Sequence, residues 1–216
     1  MSFKSIFLRC LLLSLALVSV GCAELKRLRE DNLAMTQRLS RLQSERDGLS
    51  SKYMASEREK ARLLAEQARM EDERRSLEQK LQGTGATVRV KEGKISITLP
   101  SSIFFNSGKI TLKEAAKNSL KRVCGALSQD FPNGAIRIEG HTDTDPINRT
   151  KALYKSNWEL SAMRASSVLH FLLETCHIDP KKVYIAGFGE YQPVAENKSR
   201  SGKQQNRRVE IVVISK

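Results

Sequence analysis

Between Ala23 and Gln82 the chain has no proline and a single glycine, Gly48, so nothing there stops a helix. Before Glu24 it has no acidic residue. Nowhere does an apolar run approach the roughly 20 residues that a permanent membrane span requires. Aromatic residues make up 6% of the 216 positions, and Trp158 is the one tryptophan. With 28% charged residues and a mean hydropathy of −0.41, a multi-span membrane protein is excluded. With 40% hydrophobic residues, wholesale disorder is not expected either. Twelve glycines and five prolines are too few for a collagen-like or low-complexity chain. The length suits one ordinary domain plus an extension.

What the chain has in excess is positive charge: 37 lysines and arginines against 24 acids, a formal net of +13. Such a balance suits nucleic acid, an anionic membrane or an acidic polymer. Residues 1–22 hold Lys4 and Arg9, residues 23–82 hold 14 basic against 12 acidic side chains, and residues 83–216 hold 21 against 12. Three unlike segments follow: an export signal (1–22), a helical spacer (23–82) and a folded domain (83–216).

In the first segment Lys4 and Arg9 precede the apolar run Cys10–Val20, which ends in Gly21-Cys22. A short basic region, about a dozen apolar residues and small residues at the end make a secretory signal. Gly21-Cys22 resembles the lipobox of bacterial lipoproteins, although Ser19 stands where that pattern usually has leucine. The resemblance implies acylation of Cys22 as the mature N-terminus, and several acyl chains hold far more firmly than one. Ala23 rather than aspartate after the cysteine implies sorting to the outer membrane. An ordinary cleaved signal, or a short anchor with Cys22 incidental, is the alternative.

In the second segment Leu28, Met35, Leu42, Leu49, Ser56, Leu63, Met70 and Leu77 recur every seven residues, apolar except at Ser56. The complementary series contains Asn32, Arg46, Lys60, Gln67 and Arg74 and ends on Leu81. Sustained heptads predict a coiled coil, here with a half-polar seam and an unspecified number of strands. A solitary charged helix supported by pairs such as Glu71–Arg75 is the alternative. Either is stiff, with a reach on the order of 80 Å at 1.5 Å per residue.

The third segment begins at Gly83-Thr-Gly85. Thr87–Val90 and Lys94–Leu99 alternate around Glu92-Gly93 and predict a hairpin. Thr111-Leu-Lys-Glu114 and Ser156-Asn-Trp-Glu159 read as capping boxes, each opening a helix with a continuous apolar face. Ala135–Glu139, Val183–Ala186 and Arg208–Ile214 read as strands, and Gly187–Gln205 as a polar loop. The alternation predicts an α+β sandwich of βαβαβ type, with two helices packed on a mixed sheet and a long helix in front. About 130 residues suffice for one core.

Four ordered motifs in this segment carry a family resemblance: Ile138-Glu-Gly-His-Thr-Asp143, Asn157-Trp-Glu-Leu-Ser-Ala-Met-Arg-Ala165, Gly187-Phe-Gly-Glu190 and Asn206-Arg-Arg-Val-Glu210. Together they resemble the OmpA-like C-terminal domain, the family of OmpA, Pal and MotB, from about Ile97 to Val213. The resemblance implies non-covalent peptidoglycan binding without a cofactor. Asn-Trp-Glu-Leu-Ser and the loop from Asp143 are most similar to the MotB branch. That branch carries a proton-accepting aspartate in its membrane helix, whereas residues 1–23 here contain no acid.

In a strand-to-helix unit, strand ends and the following helix starts share one edge, the usual ligand edge. Phe105-Asn106, Asp143 and the start of the second long helix converge there, with Asn157, Leu160 and Arg164 spaced three or four apart on one stripe. An aspartate and an arginine at one edge suit a zwitterion. The guanidinium grips a carboxylate through two hydrogen bonds, and the carboxylate accepts from an ammonium. Diaminopimelate in a wall stem peptide presents both groups on one side chain. By resemblance Asp143 and Arg164 hold its ammonium and carboxylate, and Phe105, Asn106, Thr142, Asn157 and Leu160 line the site. A purely structural Asp143–Arg164 ion pair is the alternative.

Other residues offer less. His141 and Asp143 have no third metal ligand at convincing spacing, and His170 and His177 read as structural or surface groups. Gly108-Lys109-Ile-Thr111 lacks the upstream glycine of a phosphate loop. No serine or cysteine nucleophile has a base in a known pattern. Asn206-Arg207-Arg208 reads as side chains pinning the closing strand, and export argues against nucleic acid. Cys124 and Cys176 lie on the apolar faces of the two helices, as a disulfide or as buried thiols.

The expectation is a non-enzymatic lipoprotein tether on the periplasmic face of the outer membrane, contacting the membrane through its lipid and peptidoglycan through its domain. A wall-anchored scaffold or motor- or secretion-complex component is the second reading, its coiled coil recruiting another copy or a protein partner. A wall hydrolase is the third, without a catalytic group to support it.

Overall fold

The structure, a computed structural model, describes residues 3–148, 150–176 and 178–214, with side chains from residue 24 onward. The expected signal, the lipidation at Cys22 and the surface role of His177 lie outside the described side chains.

The chain divides into two compact units, 1–63 and 64–216. The helix α1 runs from Phe3 to Lys80. In its 24–63 part every side chain is exposed, Leu28, Met35, Leu42, Leu49 and Leu63 among them. No helix among the described residues is long and apolar enough to cross a membrane.

The second unit begins inside α1, ahead of the Gly83 boundary expected from composition. Leu77 and Leu81, heptad members by sequence, are each 1% exposed and belong to the domain core. Two glycines with positive φ, Gly83 and Gly85, release the chain after the helix. Arg122 donates to the carbonyls of Lys80 and Gln82. It thereby satisfies acceptors that a helix C-terminus leaves open and sets a cation against its negative end.

Five strands follow: β1 (Thr87–Lys91), β2 (Lys94–Pro100), β3 (Ala135–His141), β4 (Val183–Gly187) and β5 (Arg208–Ile214). They form one mixed sheet of order β1-β2-β5-β3-β4, parallel only between β3 and β4. The hairpin turns through Glu92 and Gly93, both at positive φ, which matches a two-residue loop to the twist of its strands. Helices α3 (Glu114–Asp130) and α4 (Asn157–Cys176) complete the expected α+β fold. Two short helices had no clear sequence signal: α2 (Ser101–Phe104), and α5 (Arg200–Asn206) inside the expected polar loop.

Strand alternation divides the sheet into two chemistries. Ile97, Ile211 and Ile138 pair across β2, β5 and β3 and are fully buried in the core with Leu120, Val123, Val168 and Leu172 of the helices. Each such side chain contributes about 1.5–3 kcal/mol when withdrawn from water. On the alternate positions lie Ser96, Glu210, Glu139 and Arg137.

Helix α4 approaches the sheet closely at two glycines that face each other across β3 and β4, Gly140 and Gly187. A Cβ on Gly140 would stand 1.9 Å from the Ser161 carbonyl oxygen, and one on Gly187 would stand 2.7 Å from Ala162 Cβ. Their bare backbones set where the start of α4 meets the ends of β3 and β4. A disulfide joins Cys124 of α3 to Cys176 of α4, with Cα atoms 5.2 Å apart.

The two capping boxes fare differently. Ser156 Oγ accepts from Glu159 N at 3.4 Å, while Glu159 returns to Lys155 N at 2.7 Å, one residue before the expected partner. The Thr111–Glu114 box does not form: Lys113 is the N-cap of α3 and no side chain caps it. Instead Leu112 bridges to Phe105, and Lys113 N donates to the Phe104 carbonyl. Tertiary pairing has drawn this backbone away from the helix start.

Candidate functional site

Because β5 runs antiparallel to β3, its beginning lies beside the end of β3, with Arg208 opposite His141. The loop leaving β3, the first turns of α4, the turn after α2 and the approach to β5 therefore meet at one edge. Between them is a cleft of about 650 Å³. All seven residues singled out by sequence line it: Phe105, Asn106, Thr142, Asp143, Asn157, Leu160 and Arg164. Arg207, Ser101, Lys113 and Asp145 line it too.

Asp143 is 4% exposed and Arg164 5%. They are not ion-paired with each other; Asp143 Oδ2 pairs with Arg207 Nη1 instead. Its other oxygen accepts from Asp145 N at 3.2 Å. Asp145 is tied in turn to Lys203 of α5. The carboxylate is thus oriented from two sides by groups outside α4.

Arg164 is held differently. Its Nε donates to the Lys109 carbonyl at 3.2 Å, and its guanidinium carbon lies 5.2 Å from the centroid of the Phe105 ring. Its terminal amino groups make no hydrogen bond among the described residues. The carbonyl that receives Nε sits in the turn Asn106–Lys109, closed by a Lys109 N to Asn106 O bond with Gly108 at positive φ. Burial, and then repulsion from Arg207, lowers its pKa to about 10, while Asp143 pulls the other way. It stays cationic at neutral pH, but desolvated and beside a like charge, which favours an anion arriving to offset both costs.

Asn157 braces the rim. Its Nδ2 donates to the backbone carbonyls of Asp143 and Asp145 and to Glu190 Oε2, the last at 2.7 Å. Thr142 Oγ1 and Ser101 Oγ, both buried and both lining the cleft, have no hydrogen-bond partner among the described residues. Buried hydroxyls without partners are costly, and these two remain available to a ligand.

From the sequence alone Arg207 reads only as a strand pin. Alternation carried one residue back from β5 puts it on the same side as Val209, away from Arg208, and that was the available signal. A second cluster also escaped the spacing argument. Glu139, His141 and Glu210, all buried, bring ligand atoms within 4.8 Å of one another. The third member comes from β5, opposite Glu139, so no local spacing reveals it. Glu139 is paired with Arg137 and Glu210 with Arg208. A dication would add net positive charge to a buried layer already in balance, so the cluster is suited to structure.

The OmpA family model matches residues 104–207. The chain is 39% identical over 137 residues to Motility protein B of Bacillus subtilis, covering 63% of this chain and 51% of that protein. It is 33% identical over 144 residues to the Probable lipoprotein YiaD of Escherichia coli, covering 67% of this chain and 62% of that protein. It therefore spans between half and two thirds of the length of these curated relatives. Among solved structures, the cell wall anchor of the T6SS from Pseudomonas aeruginosa superposes with a TM-score of 0.58 at 30% identity, over 66% of this chain and 96% of that one. By sequence and fold, the chain belongs to the OmpA family.

Proposed function

We infer that the cleft binds the zwitterionic end of a diaminopimelate side chain in a peptidoglycan stem, and that the protein is a non-enzymatic wall tether. The observation that carries this reading is the arrangement of Asp143 and Arg164: both buried, both lining an open cleft, and not paired with each other, Asp143 being held by Arg207 and Arg164 by the Lys109 carbonyl. The two terminal amino groups of Arg164 suit a carboxylate, the oriented Asp143 suits an ammonium, and Thr142 and Asn157 add polar contacts. The likeness to a protein described as a cell wall anchor supports the same ligand class.

The test is sedimentation of the full chain with isolated peptidoglycan. Wild type is expected in the pellet, with Asp143→Asn and Arg164→Ala left in solution. Equal sedimentation of all three would exclude the assignment.

Anchoring of the other end to the outer membrane through acylated Cys22 belongs to the same proposal. It is supported by the lipobox-like Gly21-Cys22 and by the likeness to a probable lipoprotein. Cys22→Ser should release the protein from the membrane fraction; persistence there would exclude lipidation as the anchor.

A second reading, recruitment through the helix, is favoured by the leucine stripe exposed along residues 25–63. Cross-linking through this stretch that captures another copy of the chain would make it a coiled-coil tether. Capture of a different protein would make it a scaffold.

A further inference from the structure

In a chain with so few aromatic residues, its one tryptophan is left in solvent. Trp158 is 47% exposed and Tyr191 64%, and the two rings stack with centroids 5.1 Å apart and planes 22° from parallel. Neither belongs to the core. Both directly follow residues that brace the cleft: Trp158 follows Asn157, Tyr191 follows Glu190, and Asn157 Nδ2 donates to Glu190 Oε2 at 2.7 Å. The loop carrying Tyr191 is pressed against the same helix start, a Cβ on Gly189 falling 3.4 Å from the Asn157 carbonyl carbon. The stacked pair is therefore continuous with the rim of the cleft.

We propose that Trp158 and Tyr191 form a platform for the glycan to which the bound stem peptide is attached. The inference rests on the stem-peptide reading of the cleft. Sugar rings present patches of C–H bonds that pack on aromatic faces, and exposed aromatics with a polar edge suit a wet amphipathic ligand. Diaminopimelate is the third residue of a stem, so about 10 Å of extended chain separates it from the muramic acid, and the sugar must lie outside the cleft. Trp158 directly follows Asn157, which lines the cleft.

The experiment is calorimetric titration of the full chain with two probes, the free stem tetrapeptide and the same tetrapeptide on the N-acetylglucosamine–N-acetylmuramic acid disaccharide. Wild type is expected to bind the disaccharide form about tenfold more tightly. Trp158→Ala should bring that ligand down to the level of the free tetrapeptide without changing the latter, and Tyr191→Ala should do so in part. Both side chains are exposed, so folding should survive their loss. Equal affinity of wild type for the two probes, or an equal loss of both in Trp158→Ala, overturns the platform while leaving the cleft in place. Unchanged binding of both probes by Trp158→Ala, with a shift in its sedimentation coefficient, overturns it in favour of a contact between copies. No binding of the free tetrapeptide by wild type overturns the cleft reading, and the platform with it.

Discussion

At the cleft, Asp143, Arg164 and Arg207 bring two positive charges and one negative into a space open to ligand. On the polar layer of the same sheet, Arg137, Glu139, Arg208 and Glu210 bring two of each, paired at short range. Arg208 also donates to the Asn206 and Gln192 carbonyls, and Ser96 Oγ donates to Glu210 at 2.9 Å. Phe188 stacks on His141 with centroids 5.3 Å apart. The layer is balanced in charge, although both His141 nitrogens lack a hydrogen-bond partner among the described residues and its members line a smaller cavity, whereas the cleft has an arginine with spare donors and two unpartnered hydroxyls. The contrast teaches that buried charge alone does not mark a binding site. The cleft differs in that its buried charge is left incompletely matched beside accessible space.

The contrast breaks most severely at Arg208. Arg208→Met leaves Glu210 buried without its guanidinium and should cost about 3–5 kcal/mol in urea unfolding, with peptidoglycan binding per folded molecule unchanged. A loss below about 1 kcal/mol would mean that Arg208 and Glu210 are not the buried, matched pair described.

The disulfide joins positions 52 residues apart and stands outside both clusters. A Cys124→Ala/Cys176→Ala variant should lose about 3 kcal/mol, again without loss of binding.

His141 separates the clusters by pH. Burial lowers its pKa, against Glu139 and Glu210, which raise it, while Arg208 lowers it further. The native imidazole is therefore neutral where the unfolded one, with a pKa near 6.5, begins to take up a proton. Stability contributed this way is full above that pKa and falls as the pH drops through it, by up to about 1.4 kcal/mol per pH unit. Below it, Glu139 and Glu210, whose native pKa values are lowered, add acid sensitivity from about pH 4.5 downward. Thermal midpoints between pH 8 and 5 should fall for wild type and fall less for His141→Gln.

Arg164→Ala reverses the pattern. Relief from Arg207 offsets the lost Lys109 hydrogen bond and the Phe105 contact, so stability should move by about 1 kcal/mol or less. Sedimentation with peptidoglycan should nevertheless disappear. The smallest effect is expected from zinc, which should leave the thermal midpoint unchanged because Arg137 and Arg208 already match the carboxylates.

Much of this was legible in the residues. Strand alternation and helical periodicity located all five strands and the three long helices, and the seven named cleft residues sit together because strand ends and helix starts share an edge. Arg207 was harder, because its pairing with Asp143 is a contact between loop segments 64 residues apart. The Glu139–Glu210 cluster needed the β3–β5 register, which local pattern does not specify. Leu77 and Leu81 obeyed the heptad so well that their transfer to the domain core was hidden. Periodicity tells which face of a helix is apolar, not what covers it.

By itself, the sequence determined the long helix, the α+β class and element order of the folded domain, and the charge types available at the edge of the sheet. These depend on composition and on periods of two and 3.6 residues, which are local properties of the chain. Only the tertiary structure decided which charges are partnered. That Arg207 rather than Arg164 holds Asp143, and that Glu210 completes the layer below the sheet, depends on strand register and on the approach of α4 at Gly140 and Gly187. Neither is written in any one stretch of residues, because both arise from surfaces that meet only once the chain has folded.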